Sequence, residues 1–168
     1  MMPVISLVGY SNSGKTTVME SLIRILKRKG YKVAAVKHAA HGYTMDPPGT
    51  DSWHYAEAGA DKVVIVGPGS YTMHEFHQEK KLLQDILDRI KDVDIVLIEG
   101  FKGEPGPKIE IYRQDYSSNR IDLGGDLAAV VSDVALPGDI PRFSFEQLED
   151  LADFIIARLA IALASRSI

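Results

Sequence analysis

Eight consecutive residues, Gly9-Tyr10-Ser11-Asn12-Ser13-Gly14-Lys15-Thr16, carry the clearest chemistry in the chain. They match Gly-x-x-x-x-Gly-Lys-[Ser/Thr], the spacing of a phosphate-binding loop. Gly9 and Gly14 let the backbone curl, so that successive N–H groups through Asn12 and Ser13 point inward at one anion. The helix opened by the loop adds partial positive charge at its N-terminus. Lys15 has the reach for β- and γ-phosphates, and the Thr16 hydroxyl can ligate magnesium. A flexible Gly/Ser turn before a helix is the plain alternative. Ordinary residue frequencies produce the four fixed positions in roughly one chain of this length in a hundred. The strand before the loop and the helix after it make coincidence rarer still, so we read a nucleotide site.

Other candidate groups stand further along. Glu99 ends an apolar run, where a second carboxylate can hold magnesium through water or orient an attacking water. Aspartate is commoner in that place. Asp46 and Asp51 lie in the loop after the second expected strand, where a segment can sense a γ-phosphate; Asp46 is counted with Thr16 and Glu99 as a metal contact, and Asp51 can equally cap the next helix. His38 and His41 could touch phosphate or a metal, but two histidines without a third clear ligand do not make a metal site. Lys102, Lys108 and Arg113 cluster near one strand end, either to bind an anionic substrate or simply to be solvated. Asp133 follows an apolar strand and is the better-placed acceptor for the N–H groups of a guanine base, although a turn would also use it. Asn119-Arg120-Ile121-Asp122 imitates the guanine-reading Asn-Lys-x-Asp, but it sits in a polar loop before a strand, and we set it aside.

The elements that must position these groups alternate. Val4–Val8 is a short apolar run of the kind buried on both sheet faces. Val18, Met19, Leu22, Ile23 and Leu26 form one helical stripe that ends in Lys27-Arg28-Lys29-Gly30. Residues 31–36 read as a second strand, and strand–helix–strand at this spacing is a parallel unit. A helix is expected over 53–58, with Asp51-Ser52 as its cap. Lys62–Val66 and residues 71–76 read as strands, the second free to run antiparallel to the first, joined by a type II turn at Gly67-Pro68-Gly69-Ser70. Leu82, Leu83, Ile86, Leu87 and Ile90 suggest a third amphipathic helix. Strands follow over 93–98, over 108–113 with Lys108, Glu110 and Tyr112 outward, and over 127–131. Phe143 fits a short edge strand, and 145–164 a final helix. Together these predict one domain over 1–168: a three-layer α/β fold of the P-loop NTPase type, with a mostly parallel sheet, helices on both faces and some antiparallel strands. In such sheets ligands sit at the carboxyl ends of the strands, the edge shared by the phosphate loop, Glu99 and Asp133.

Composition bounds the function. The 168 residues are 45% hydrophobic and 25% charged, an ordinary soluble globular composition. A net charge of −4 argues against charge-driven binding of nucleic acid. The absence of cysteine excludes disulfides, thiolate zinc sites and iron–sulfur clusters, and fits a cytoplasmic protein. No basic leader precedes the first apolar run, and the apolar stretch 154–164 is too short to span a bilayer, so neither a signal peptide nor membrane insertion is expected.

Four blocks taken in order resemble a known family. They are residues 9–17, including Thr17; Lys37-His38-Ala39-Ala40-His41; Asp46-Pro47-Pro48-Gly49-Thr50-Asp51-Ser52 with Ala58-Gly59-Ala60; and Ile98-Glu99-Gly100-Phe101-Lys102 with Pro107-Lys108-Ile109-Glu110. The likeness, over nearly the whole chain, is to the molybdopterin-guanine dinucleotide biosynthesis protein B family, MobB. It implies a GTP-binding protein of the dimeric P-loop class, with magnesium accompanying the GTP and weak hydrolysis. It also implies an accessory role in attaching GMP to molybdopterin, the nucleotidyl transfer being done by a partner, MobA. Lys15 and Thr16 carry over as phosphate and magnesium contacts. The blocks around Asp46 and Glu99 carry over as site segments without settled individual roles.

Rival readings stay open on the residues alone: a small-molecule kinase, an ATP-dependent ligase of the same broad fold, or a non-hydrolysing nucleotide-binding adaptor. Kinases usually close an arginine-rich lid, and no segment here clusters arginines. The final helix carries Phe154, Ile155, Ile156, Leu159, Ile161 and Leu163 on several faces, so it is expected either to be buried on two sides or to help form a homodimer interface.

Overall fold

The computed structural model of the protein describes residues 3–40, 42–44, 46–79, 81–117 and 119–164, with the side chains of 159 and 161–164 outside that description. His41, Leu159, Ile161 and Leu163, singled out above, therefore lie outside the described residues or side chains. The chain divides into two compact units. One runs to His38 and resumes at Ile90; the other is Ala39–Arg89.

The first unit is built on six parallel strands: β1 (Val4–Val8), β2 (Val33–Lys37), β5 (Ile95–Glu99), β6 (Lys108–Tyr112), β7 (Leu127–Ser132) and β8 (Arg142–Phe143), in the order β2-β5-β1-β6-β7-β8. Period-two alternation sends Ile5 and Leu7, Ile95 and Leu97, Ile109 and Ile111, and Ala129 and Val131 into one core. Helices α1 (Lys15–Arg28) and α4 (Leu148–Ala164) close that core with Val18, Leu22 and Leu26 from α1 and Leu151, Ala152 and Ile155 from α4, all fully buried. Helix α1 stops where its sequence says it should. Gly30 takes φ 91°, its N–H donates to Lys27 O, and the N–H of Tyr31 donates to Leu26 O, which satisfies the last carbonyls. Ion pairs Arg28–Glu149 and Lys29–Asp153, the latter at 2.7 Å, tie the end of α1 to α4.

The strand expected to be half-exposed is buried throughout. Lys108, Glu110 and Tyr112 of β6 point away from the α1–α4 core, but none reaches solvent to any extent. The connection from β6 to β7 accounts for two of them. Glu110 accepts from Arg120 Nε at 2.8 Å and from the N–H of Ile121 at 2.7 Å. Lys108 donates to Asp126 at 2.8 Å. Alternation of polar and apolar residues normally marks a water-facing side, but paired charges fill the same positions once a loop covers them.

The second unit holds α2 (Asp51–Glu57), α3 (Leu83–Leu87) and the antiparallel hairpin β3 (Lys62–Val66) with β4 (Tyr71–Glu75). Thr50, not Asp51-Ser52, caps α2, its hydroxyl accepting from the N–H of Trp53 at 3.4 Å. Gly69 does not enter the left-handed region, so the expected type II turn is replaced by a four-residue loop in which the N–H of Gly67 donates to Ser70 O at 2.8 Å. Helix α3 covers only part of the predicted stripe. The final helix begins three residues later than its pattern suggested.

Candidate functional site

Between β1 and α1 the chain makes the tight turn its glycines allow. Asn12 has φ 63° and Gly14 φ 96°, both left-handed, the second with no steric cost. A Cβ on Gly9 would stand 2.5 Å from Ile111 O and 2.6 Å from Ser13 Oγ, so the loop passes too close to β6 for any side chain there. Gly14 is the N-cap of α1 and supplies no side-chain acceptor, and the first turn holds no acidic residue. The leading N–H groups of the helix are thus left for an external anion. Ser13 is 2% exposed and its Oγ has no hydrogen-bond partner.

The loop lines an open pocket of about 610 Å³, within the range of sites that hold a nucleotide-sized ligand. Asn12, Gly14, Lys15, Thr16 and Thr17 form one wall, and Glu99 and Tyr116 also border it. Strand pairing delivers Glu99: it stands in register with Leu7 of β1 on one side and Lys37 of β2 on the other. The chain then turns sharply, with Gly100 at φ 99° and Phe101 at φ 52°. Phe101 stacks on His38 at 4.2 Å between ring centroids, and a Cβ on Gly100 would stand 3.0 Å from His38 Cβ. His38 is thus a packing partner of the Glu99 turn. Burial pushes the Lys15 ammonium below the ordinary lysine range; the charge of Glu99 opposes this and that of Lys37 adds to it.

Thr16 and Glu99, two of the three residues expected at magnesium, border one pocket, and hydroxyl and carboxylate oxygens are the donors a hard cation takes. Asp46, the third, belongs to the second unit and lines a cavity of that unit. Among the described residues no three His, Cys, Asp or Glu side chains converge as a metal site.

Three expected contacts fare differently. Lys108 is 2% exposed, and its ammonium donates to Glu104 O at 2.5 Å, Gly106 O at 3.1 Å and Asp126 Oδ2 at 2.8 Å. All three protons are committed, so this lysine is structural and has nothing left for an anionic ligand. Lys102 is exposed in the turn after β5, outside the residues that line the pocket. Asp133 is exposed at the end of β7 and accepts from the N–H of Gln114 at 3.3 Å, joining the ends of β6 and β7. Arg120 and Asp122 of the Asn-Lys-x-Asp imitation are engaged within their own loop and with Glu110, as its polar setting suggested.

Sequence reasoning left Arg113 undecided and missed its true neighbour. The guanidinium lies over Phe145 at 4.0 Å, and its Nε comes within 3.6 Å of where a Gly14 Cβ would be. That Nε is buried without a hydrogen-bond partner. Tyr116, on the pocket rim, was also missed. Neither has a local signal, because the pairing of β1 with β6 brings them to the loop from a hundred residues away.

Comparison with known proteins agrees with this construction. A family model described as molybdopterin guanine dinucleotide synthesis protein B matches residues 4–133. The chain is 33% identical over 156 residues to the molybdopterin-guanine dinucleotide biosynthesis adapter protein of Haemophilus influenzae, covering 91% of this chain and 87% of that one. It is 33% identical over 162 residues to the adapter protein of the same description from Escherichia coli, covering 93% of each. A solved structure described as molybdopterin-guanine biosynthesis protein B superposes with a TM-score of 0.72 at 30% identity, covering 93% of this chain and 99% of the other. No helix among the described residues is long and apolar enough to cross a membrane. The α/β architecture, the phosphate loop between β1 and α1, and these likenesses lead to one conclusion: the chain belongs to the molybdopterin guanine dinucleotide synthesis protein B family.

Proposed function

We propose that the protein binds GTP with magnesium at the loop 9–16 and acts in the cytoplasm as an accessory factor when a MobA-type nucleotidyltransferase attaches GMP to molybdopterin. The observation that carries this reading is the shared pocket of Lys15, Thr16 and Glu99 beneath an uncapped helix N-terminus. In it, Lys15 neutralises the outer phosphates, and Thr16 and Glu99 hold or orient magnesium and its waters. Glu99, among the described residues the one carboxylate lining the pocket, supplies only part of what fast phosphoryl transfer needs, so intrinsic hydrolysis is slow, below about one turnover per second.

The working form is a homodimer. Phe154 and Ile156 of α4 pack against the protein's own core, which removes much of the reason for placing the interface there. The hairpin supports a second copy better. Val64 faces Met73 and Val66 faces Tyr71 in direct register, so all four lie on one side of the ribbon, each at least 48% exposed.

The test is binding of labelled GTP and ATP with and without magnesium, followed by dinucleotide formation by the nucleotidyltransferase with and without this protein. Preference for GTP and stimulated dinucleotide formation are expected. ATP preference with transfer to a small acceptor would instead indicate a kinase or ligase.

A further inference from the structure

The second unit contains a cavity of about 200 Å³, below the roughly 300–1,000 Å³ of sites for drug-sized ligands, so it holds a ring system rather than a whole dinucleotide. Its lining has two chemical parts. Tyr43, Trp53, His74 and Phe76 contribute aromatic surface, with His74 4.1 Å from Phe76 and 5.8 Å from Tyr43 between ring centroids. Asp46 and Glu57 contribute two carboxylates, and the hydroxyl residues Thr44 and Ser52 add further polar atoms. A cluster serving only to pack this unit has no use for that many polar groups on a cavity wall.

Flat heteroaromatic rings suit aromatic walls because every such ring has a π-face to stack. A carboxylate is specific for one kind of edge. It accepts two parallel hydrogen bonds from an amidine-like pair of N–H groups, the geometry that makes arginine–carboxylate pairs strong. A 2-amino-4-oxopyrimidine ring presents that pair, and it occurs in pterins and in guanine. We propose that this cavity is a pterin site, with the ring among the aromatic side chains and its amino edge on the carboxylates of Asp46 and Glu57. The assignment rests on the proposed role in attaching GMP to molybdopterin: the nucleotide already has the phosphate loop, and the second substrate of that reaction is a pterin.

Trp53 is the chain's single tryptophan and borders the cavity, so its fluorescence reports occupancy directly. The probe is 6-hydroxymethylpterin, titrated against the full chain with guanosine and GTP as competitors. Saturable quenching that neither competitor reverses is expected, with at least a tenfold loss of affinity in Asp46→Asn and in Glu57→Gln. Glu57→Gln, on an exposed helix position, guards against a folding defect in the loop variant. Equal displacement by guanosine would overturn the pterin assignment in favour of a guanine reader. Absence of saturable quenching would overturn it as well, and if such protein still binds GTP and stimulates dinucleotide formation, the proposed function survives without this site.

Discussion

Lys15 Nζ donates to Tyr10 O at 2.7 Å, so the lysine of the phosphate loop is held by a carbonyl of the same loop. In the proposed nucleotide site a triphosphate would take over that ammonium. Lys15→Ala is expected to abolish GTP binding measured by calorimetry while circular dichroism stays that of the native fold. Because burial lowers the pKa of Lys15, its charge is lost on raising the pH earlier than for an ordinary lysine, and GTP affinity should decline correspondingly early. Unchanged affinity in a folded Lys15→Ala protein would remove the loop from the nucleotide site.

Gly9 is a steric requirement of the loop. A methyl group there meets a backbone carbonyl at 2.5 Å, and Ile111 cannot withdraw without breaking the pairing of β1 with β6. Gly9→Ala should cost about 1–3 kcal/mol of stability, the usual range for overpacking. Urea unfolding at native stability would show that the loop relaxes freely.

Arg113 braces Gly14 from the end of β6. Its stacking on Phe145 is of the order of 1 kcal/mol, so loss of that brace in Arg113→Ala should weaken GTP binding about fivefold. Arg113→Lys should recover little, since a lysine lacks the planar group that stacks. Full recovery by lysine would mean that charge alone matters at this position.

Lys108 separates a structural from a ligand-binding role. Lys108→Ala removes a fully buried side chain and the partner of Asp126, and about 2–5 kcal/mol of stability should go with it. GTP affinity of the folded fraction should be unchanged. A selective loss of ligand binding at full stability would return this lysine to the site.

Glu75 makes the second unit acid-sensitive. The Arg89 guanidinium, with Lys62 beside it, holds the Glu75 carboxyl down to about 2 from an ordinary 4.5. The folded value lies below the unfolded one, so the stabilisation is complete above about pH 4.5 and is lost as the pH falls toward 2. Thermal midpoints across that window should fall more steeply in the native protein than in Glu75→Gln. Parallel slopes would show that the pair contributes nothing measurable.

The sequence by itself determined whatever depends on neighbours within a few residues. Residues 9–16 spell a loop because the φ angles of such a turn need glycine at Gly14, and the apolar run before it and the stripe after it can only be strand and helix. The carboxyl-edge rule carried Glu99 to the same pocket for the same reason, since it ends a strand whose direction the connecting helix dictates. Tertiary structure alone decided the rest. Whether a lysine on an alternating strand faces water depends on what covers it, and Lys108 and Glu110 are buried against Arg120, Ile121 and Asp126, partners that no spacing rule names. Arg113 reaches Gly14 only because β6 pairs beside β1, and the four exposed apolar residues of the hairpin share a face only because Val64 is registered on Met73. Those are long-range pairings, chosen by how the folded chain buries its surface, and a sequence read locally does not contain them.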